Sequence, residues 1–185
     1  MRRTTVLFGR LDGHMTSLAT RHVMQANKGK DTKPELVLRH ALRAAGYPGY
    51  RLHWKDAAGH PDITYPGRRV AIFVNGCFWH RCSRCKLTTP KTNTAFWEEK
   101  FARNRERDRR EWRELVGEGW CVVVVWEHDL KRGHVDATVA DVVCELERAG
   151  DGGPGIGRMV EIGSPAAWEL AARRGRLRAR GSSRP

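Results

Sequence analysis

Cys77, Cys82 and Cys85 bring three thiols together within nine residues of a 185-residue chain that holds only two other cysteines, Cys121 and Cys144. The count is odd, and no apolar stretch with a small-residue cleavage site follows Met1. The pattern therefore reads as metal or redox chemistry, not as a disulfide framework. Tetrahedral zinc takes four N or S donors, so the Cys-x4-Cys-x2-Cys loop needs one more. His128, in Trp126-Glu127-His128 just past an apolar run, is placed to reach a neighbouring loop; Cys121 and His80 compete for the position. Cys82-Ser83-Arg84-Cys85 also has redox spacing, but a redox pair opens a helix directly after a strand, and here a further cysteine intervenes. Incidental thiols are the third reading. Zinc is favoured because it also explains how so long a loop is ordered.

Gly59-His60-Pro61-Asp62 puts a carboxylate at the mouth of a short strand, where a fixed acid can hold a divalent cation against a phosphate. Glu35 on the first helix shares that site if the helix lies across the sheet. Taken alone, Asp62 is also accounted for as a turn cap and Glu35 as a helix cap. Phe78-Trp79-His80 follows a strand end. Two large aromatics on a loop are core, packing around the zinc site, or wedges between DNA bases. His80 beside them is a general base near neutral pH, a metal ligand, or a group just outside the ligands.

The elements that must hold these residues follow from the apolar pattern. Thr32-Lys33-Pro34-Glu35 is a helix start, with Thr32 as N-cap, Pro34 in the first turn and Glu35 closing a capping box. Leu36, Leu38, Leu42 and Ala45 make the apolar stripe of that helix, and Gly46 stops it. Tyr50 to Trp54 and Asp62 to Tyr65 read as short strands, Val70 to Val74 and Cys121 to Trp126 as buried ones. Cys77 to Asn93 is a long loop. A helix from about Thr94 to Glu118 presents Trp97, Phe101, Trp112 and Leu115 on its apolar side and Arg103, Arg105, Arg107, Arg109, Arg110 and Arg113 to solvent. Asp136 to Ala149 is a last helix. A helix between the two buried runs predicts parallel pairing of those strands. The result is one α/β domain with a mixed sheet over 28–149, a flexible arm over 1–27 and a flexible Gly/Pro/Arg-rich tail over 150–185.

Hydrophobic residues at 40% and charged ones at 30% are globular composition, and no apolar run approaches a membrane span, so no membrane role is expected. Lys and Arg number 34 against 21 Asp and Glu, a net charge of +13 that calls for a polyanionic partner, nucleic acid before an anionic membrane surface. The excess lies mainly in 16–133, where 23 basic residues meet 13 acidic ones.

In order and at compatible spacing, Lys30 to Glu35, Gly59-His60-Pro61-Asp62, Gly76-Cys77-Phe78-Trp79-His80, Asn93 to Trp97, Asn104 to Arg109 and Val125-Trp126-Glu127 strongly resemble the very short patch repair (Vsr) DNA mismatch endonucleases over about 28–132. The resemblance implies a restriction-endonuclease-like fold of the PD-(D/E)xK superfamily, a mixed central sheet flanked by helices with a structural Zn²⁺. It implies Mg²⁺-dependent nicking of one strand of double-stranded DNA beside a T:G mismatch. The enzyme would be a monomer in the bacterial cytoplasm, associated with the nucleoid and followed by downstream repair proteins. By motif position, Asp62 and the Val74 backbone carbonyl hold the magnesium, His80 is the general base and Glu35 an assisting acid. Cys77, Cys82, Cys85 and His128 hold the zinc. Phe78, Trp79 and Trp97 intercalate, and Asn104 and Arg105 are further DNA contacts. Three positions depart from the family pattern. The third cysteine is offset by one residue, and His128 stands where well-known members have cysteine. Val74-Asn75 replaces a Thr-His pair, so Asn75 offers no imidazole. Two other functions compete: a restriction or defence nuclease cutting undamaged DNA, and a zinc-containing DNA-binding module with weakened catalysis.

Overall fold

The computed structural model describes residues 29–150 and 157–163; the arm expected over 1–27 and most of the tail expected over 150–185 lie outside the described residues. The elements are α1 (Lys33–Ala44), β1 (Arg51–Leu52), β2 (Ile63–Tyr65), β3 (Val70–Asn75), α2 (Cys77–His80), α3 (Thr94–Gly117), β4 (Cys121–Trp126), α4 (Val135–Ala149) and β5 (Arg158–Glu161). One five-stranded sheet runs in the order β1-β2-β3-β4-β5. The β1–β2 and β2–β3 pairs are antiparallel, while β3–β4 and β4–β5 are parallel. The parallel pairing expected of the two buried runs is present, from Val70↔Cys121 to Asn75↔Trp126.

Period-2 alternation divides the strands between two cores. Ile72, Val123 and Val125 face Leu38 and Leu42 of α1 and Val142 and Leu146 of α4, all essentially without exposure. Ala71, Phe73, Val122 and Val124 face Leu115 of α3, Trp120 and the half-buried Trp112. The sheet is thus sandwiched between α1 and α4 on one side and α3 on the other. Asp62 continues β2 and Asn75 ends β3, so both sit at the same end of the sheet.

Four expectations are revised. The strand expected over Tyr50 to Trp54 forms only over Arg51–Leu52, because His53 adopts φ +45°, which no strand continues. Leu36 is 41% exposed, and the inward face of α1 instead buries Glu35 and Arg39 beside Leu38 and Leu42. The Cys77–Asn93 loop begins with a helical turn, α2. The stretch read as tail contributes β5, which pairs with β4 from Cys121↔Arg158 to Val124↔Glu161.

Candidate active site and metal centre

Gly59 and His60 both have positive φ, +72° and +48°, and swing the chain so that Asp62 enters β2 at the sheet end. A side chain at Gly59 would put its Cβ 2.7 Å from Glu111 Oε2 of α3, so the turn approaches that helix as only glycine allows. Asp62 Oδ2 accepts the Val74 N–H at 2.7 Å. A residue's N–H and C=O leave an extended strand on the same side, so the Val74 carbonyl faces this gap as well. Burial pushes the Asp62 carboxyl up to about 7; the Val74 N–H opposes the rise, Glu35 adds to it, and Arg39 and His80 oppose it.

Glu35 fulfils its capping role and more. Its Oε1 accepts from Thr32 N at 3.2 Å and Thr32 Oγ1 at 2.7 Å, while Oε2 accepts from Arg39 Nη2 at 2.6 Å. His53 lies between the two acids, its Nε2 3.7 Å from Glu35 and its Nδ1 3.9 Å from Asp62. Across the site, His80 at the end of α2 pairs through Nδ1 with Asp108 Oδ2 of α3, a carboxylate only 7% exposed. An ionised carboxylate only accepts, so the proton of a neutral His80 sits on Nδ1 and Nε2 keeps its lone pair. Asn75, beside Val74, is 5% exposed and its Nδ2 has no hydrogen-bond partner among the described residues.

Phe78 and Trp79 belong to an aromatic cluster with Trp97 and Phe101, the Phe78 ring lying 5.1–5.7 Å from the other three. Lys100 Nζ stands 5.4 Å over the Trp79 ring. Phe78, Trp79 and Phe96 are half-buried and form its outer face, whereas Trp97 is 7% exposed. Trp97 therefore lies at the base of the cluster, behind Phe78 and Trp79. Asn104 is likewise engaged: its Nδ2 donates to the Trp79 carbonyl at 3.1 Å and anchors the aromatic turn, while Arg105 is exposed.

The three cysteines and His128 do converge. His128 Nδ1 lies 3.2, 3.8 and 3.4 Å from the Sγ atoms of Cys77, Cys82 and Cys85, and all four ligand atoms fall within 4.8 Å of one another. Tetrahedral zinc with bonds of 2.1–2.3 Å separates its ligand atoms by about 3.6 Å, which these distances straddle. Burial pushes the Cys77 thiol up to about 12 and raises that of Cys82, so thiolates form there only against a cation. Cys121 is core and His80 is turned to Asp108, which removes both competitors for the fourth place. The residues missed from sequence are Arg39, His53, Asp108, Glu127, which accepts from Cys77 N at 3.2 Å, and Asp129, 3.1 Å from His128 Nε2. Of these, Asp108 and Glu127 fall inside the family-like blocks Asn104 to Arg109 and Val125-Trp126-Glu127, but nothing in the sequence marks either as a partner of His80 or Cys77.

Comparison with known proteins gives the family. The family model described as "DNA mismatch endonuclease Vsr" matches residues 14–86. A "Type II nicking enzyme V.XorIIP" of Xanthomonas oryzae pv. oryzae is 41% identical over 125 residues, covering 66% of this chain and 90% of the relative. The "Type II nicking enzyme V.NaeI" of Lentzea aerocolonigenes is 42% identical over 133 residues, covering 69% and 78%. "DNA mismatch endonuclease Vsr" of Escherichia coli K12 is 38% identical over 108 residues, covering 58% and 69%. With a relative of that likeness matched over nine-tenths of its length, and with the motif residues gathered at one end of a mixed sheet, this chain belongs to the Vsr family of DNA endonucleases.

Proposed function

We propose that this protein nicks one strand of duplex DNA beside a T:G mismatch, in a Mg²⁺-dependent reaction that initiates very short patch repair. The observation that carries the reading is the meeting of Asp62, the Val74 peptide and the His80–Asp108 pair at one sheet end, next to an aromatic cluster. The donors suit a hard cation: one Asp62 oxygen is free of the Val74 N–H, a carbonyl faces the same gap, and the carboxyl, held at about 7, gains from a counter-charge. A divalent cation bound there supplies neutralisation of the charge that builds on the phosphate. Asp62 fixes that charge to the strand end. Asp108 orients His80 so that its Nε2 can take the proton of an attacking water. Glu35, already bonded to Thr32 and Arg39, acts on the site through its field at Asp62.

Phe78 and Trp79 stack against the opened step, whose mismatch lowers the cost of unstacking, and Trp97 backs them. Arg105 and its exposed neighbours on α3 meet the phosphate backbone. A structural Zn²⁺ in the Cys77, Cys82, Cys85 and His128 set ties the loop to the end of β4. The enzyme works as a monomer on nucleoid DNA in the bacterial cytoplasm, and downstream repair proteins take its nicked product.

The type II nicking enzymes among the relatives favour a second reading, a nuclease of a restriction or defence system that cuts undamaged DNA. End-labelled duplexes carrying T:G, other mismatches or none, incubated with Mg²⁺, separate the two. The proposal expects nicks beside T:G alone; equal nicking of the matched duplex favours the second reading, and binding without any nick leaves only a DNA-binding module.

A further inference from the structure

Resting on the zinc reading of the cysteine cluster, we infer that Asp129 is a positioning residue of that centre, fixing the His128 ring so that Nδ1 is the ligand atom. His128 Nδ1 faces the three thiols, and Nε2, on the other side of the ring, lies 3.1 Å from Asp129 Oδ1. A carboxylate accepts only, so Nε2 carries the proton and the Nδ1 lone pair points into the cluster.

Asp129 is itself held. Arg84 Nη2 donates to Oδ2 at 2.8 Å and Nη1 to Oδ1 at 3.3 Å, and Thr138 Oγ1 donates to the Asp129 carbonyl at 2.7 Å. The same guanidinium donates to the carbonyls of Ile162 and Gly163, each at 2.9 Å, just past β5. Arg84 lies between Cys82 and Cys85, so the metal loop supplies the group that locks the acid orienting its own fourth ligand. Gly163 has φ +70°, and a Cβ there would sit 2.5 Å from Arg84 Nη1 and 3.1 Å from Asp129 Oδ1. A side chain at 163 would therefore push on the guanidinium, and the positive φ strains any residue but glycine there. With a thiolate in place of the imidazole there is no second ring nitrogen to orient, so Asp129 matters to the metal only because position 128 is histidine.

The test is zinc affinity of the full chain, measured against a chromophoric chelator, for the parent, Asp129→Ala, His128→Cys and the double variant, with circular dichroism to verify folding. Asp129→Ala should weaken zinc about 10- to 100-fold in the parent and less than about threefold in the His128→Cys background. Equal losses in both backgrounds would make the Arg84–Asp129 pair a general brace and overturn the inference, as would a loss under about twofold in the parent. Should Asp129→Ala not fold, ¹⁵N-histidine NMR of the zinc-loaded parent decides: Nδ1 ligated and Nε2 protonated supports the assignment, and the reverse overturns it. A parent that takes up no zinc sinks the metal centre itself, a failure distinct from that of Asp129.

Discussion

At Asp62, burial and function pull in opposite directions. An ionised carboxylate is favoured above about 3.8 in the unfolded chain but only above about 7 in the folded one. Between those values the folded state holds the extra proton, so metal-free stability falls as pH rises from about 4 to about 7. Asp62→Asn keeps the acceptor for the Val74 N–H and removes the charge. In thermal melts without metal it should therefore exceed the parent at pH 7.5, with the gap closing below pH 4, whereas Mg²⁺ should raise the parent alone. His80 depends on Asp108 for its tautomer, and Asp108→Asn should slow nicking about 10²-fold while leaving DNA affinity nearly unchanged, as read by single-turnover rates and binding isotherms. Asp62, His80 and Glu35 could be proposed from sequence because each stands at an element end inside a recognisable block. Asp108 could not: in sequence it is one charge among many on a 24-residue helix, and only the packing of α3 against α2 shows that it is buried. Arg39 and His53 were hidden for the same reason, since their partners lie on other elements or a turn away.

The elements do two jobs, holding the acid at the strand end and holding the loop. The turn before β2 depends on Gly59, and Gly59→Ala should cost about 1–2 kcal/mol from its backbone alone, more once Glu111 is displaced, with chemical denaturation as the measure. The loop after α2 has little regular structure, which leaves the proposed metal to order it. Chelation should expose Arg81, Lys86 and Lys91 to trypsin within a protein whose β3 and β4 remain protected from hydrogen exchange. The strongly periodic or continuous apolar segments, α1, β3, α3, β4 and α4, could be read from sequence because one or two packed faces leave their mark there. β5 could not. Arg158-Met159-Val160-Glu161 shows no usable alternation, and what makes it a strand is the open edge of β4, helped by Trp126 Nε1 donating to Glu161 Oε1 at 2.6 Å. The depth of Trp97 was hidden for a related reason: an aromatic in a DNA-binding motif reads as a wedge, and only its 7% exposure shows that it lies behind Phe78 and Trp79.

Over the whole molecule, the net charge of +13 acquires a location. Arg103, Arg110 and Arg113 on α3 have side chains 66–71% exposed, and their ion pairs with Glu99, Glu111 and Glu106 span 3.6–4.0 Å across solvent. Such pairs contribute little and leave the helix free to meet phosphates. DNA affinity should therefore fall steeply with salt, and Arg105→Ala should lower the slope of log K against log[salt] by about 1 with little change in mismatch preference. No helix among the described residues is long and apolar enough to cross a membrane. The central claim, that a cation held by Asp62 drives strand cleavage at a T:G mismatch, is tested most directly by single-turnover nicking of a T:G duplex with Mg²⁺ by the parent and by Asp62→Ala. The account predicts one nick beside the mismatch from the parent and a rate at least about 10³-fold lower from the variant. An Asp62→Ala protein that nicks as fast as the parent would contradict it.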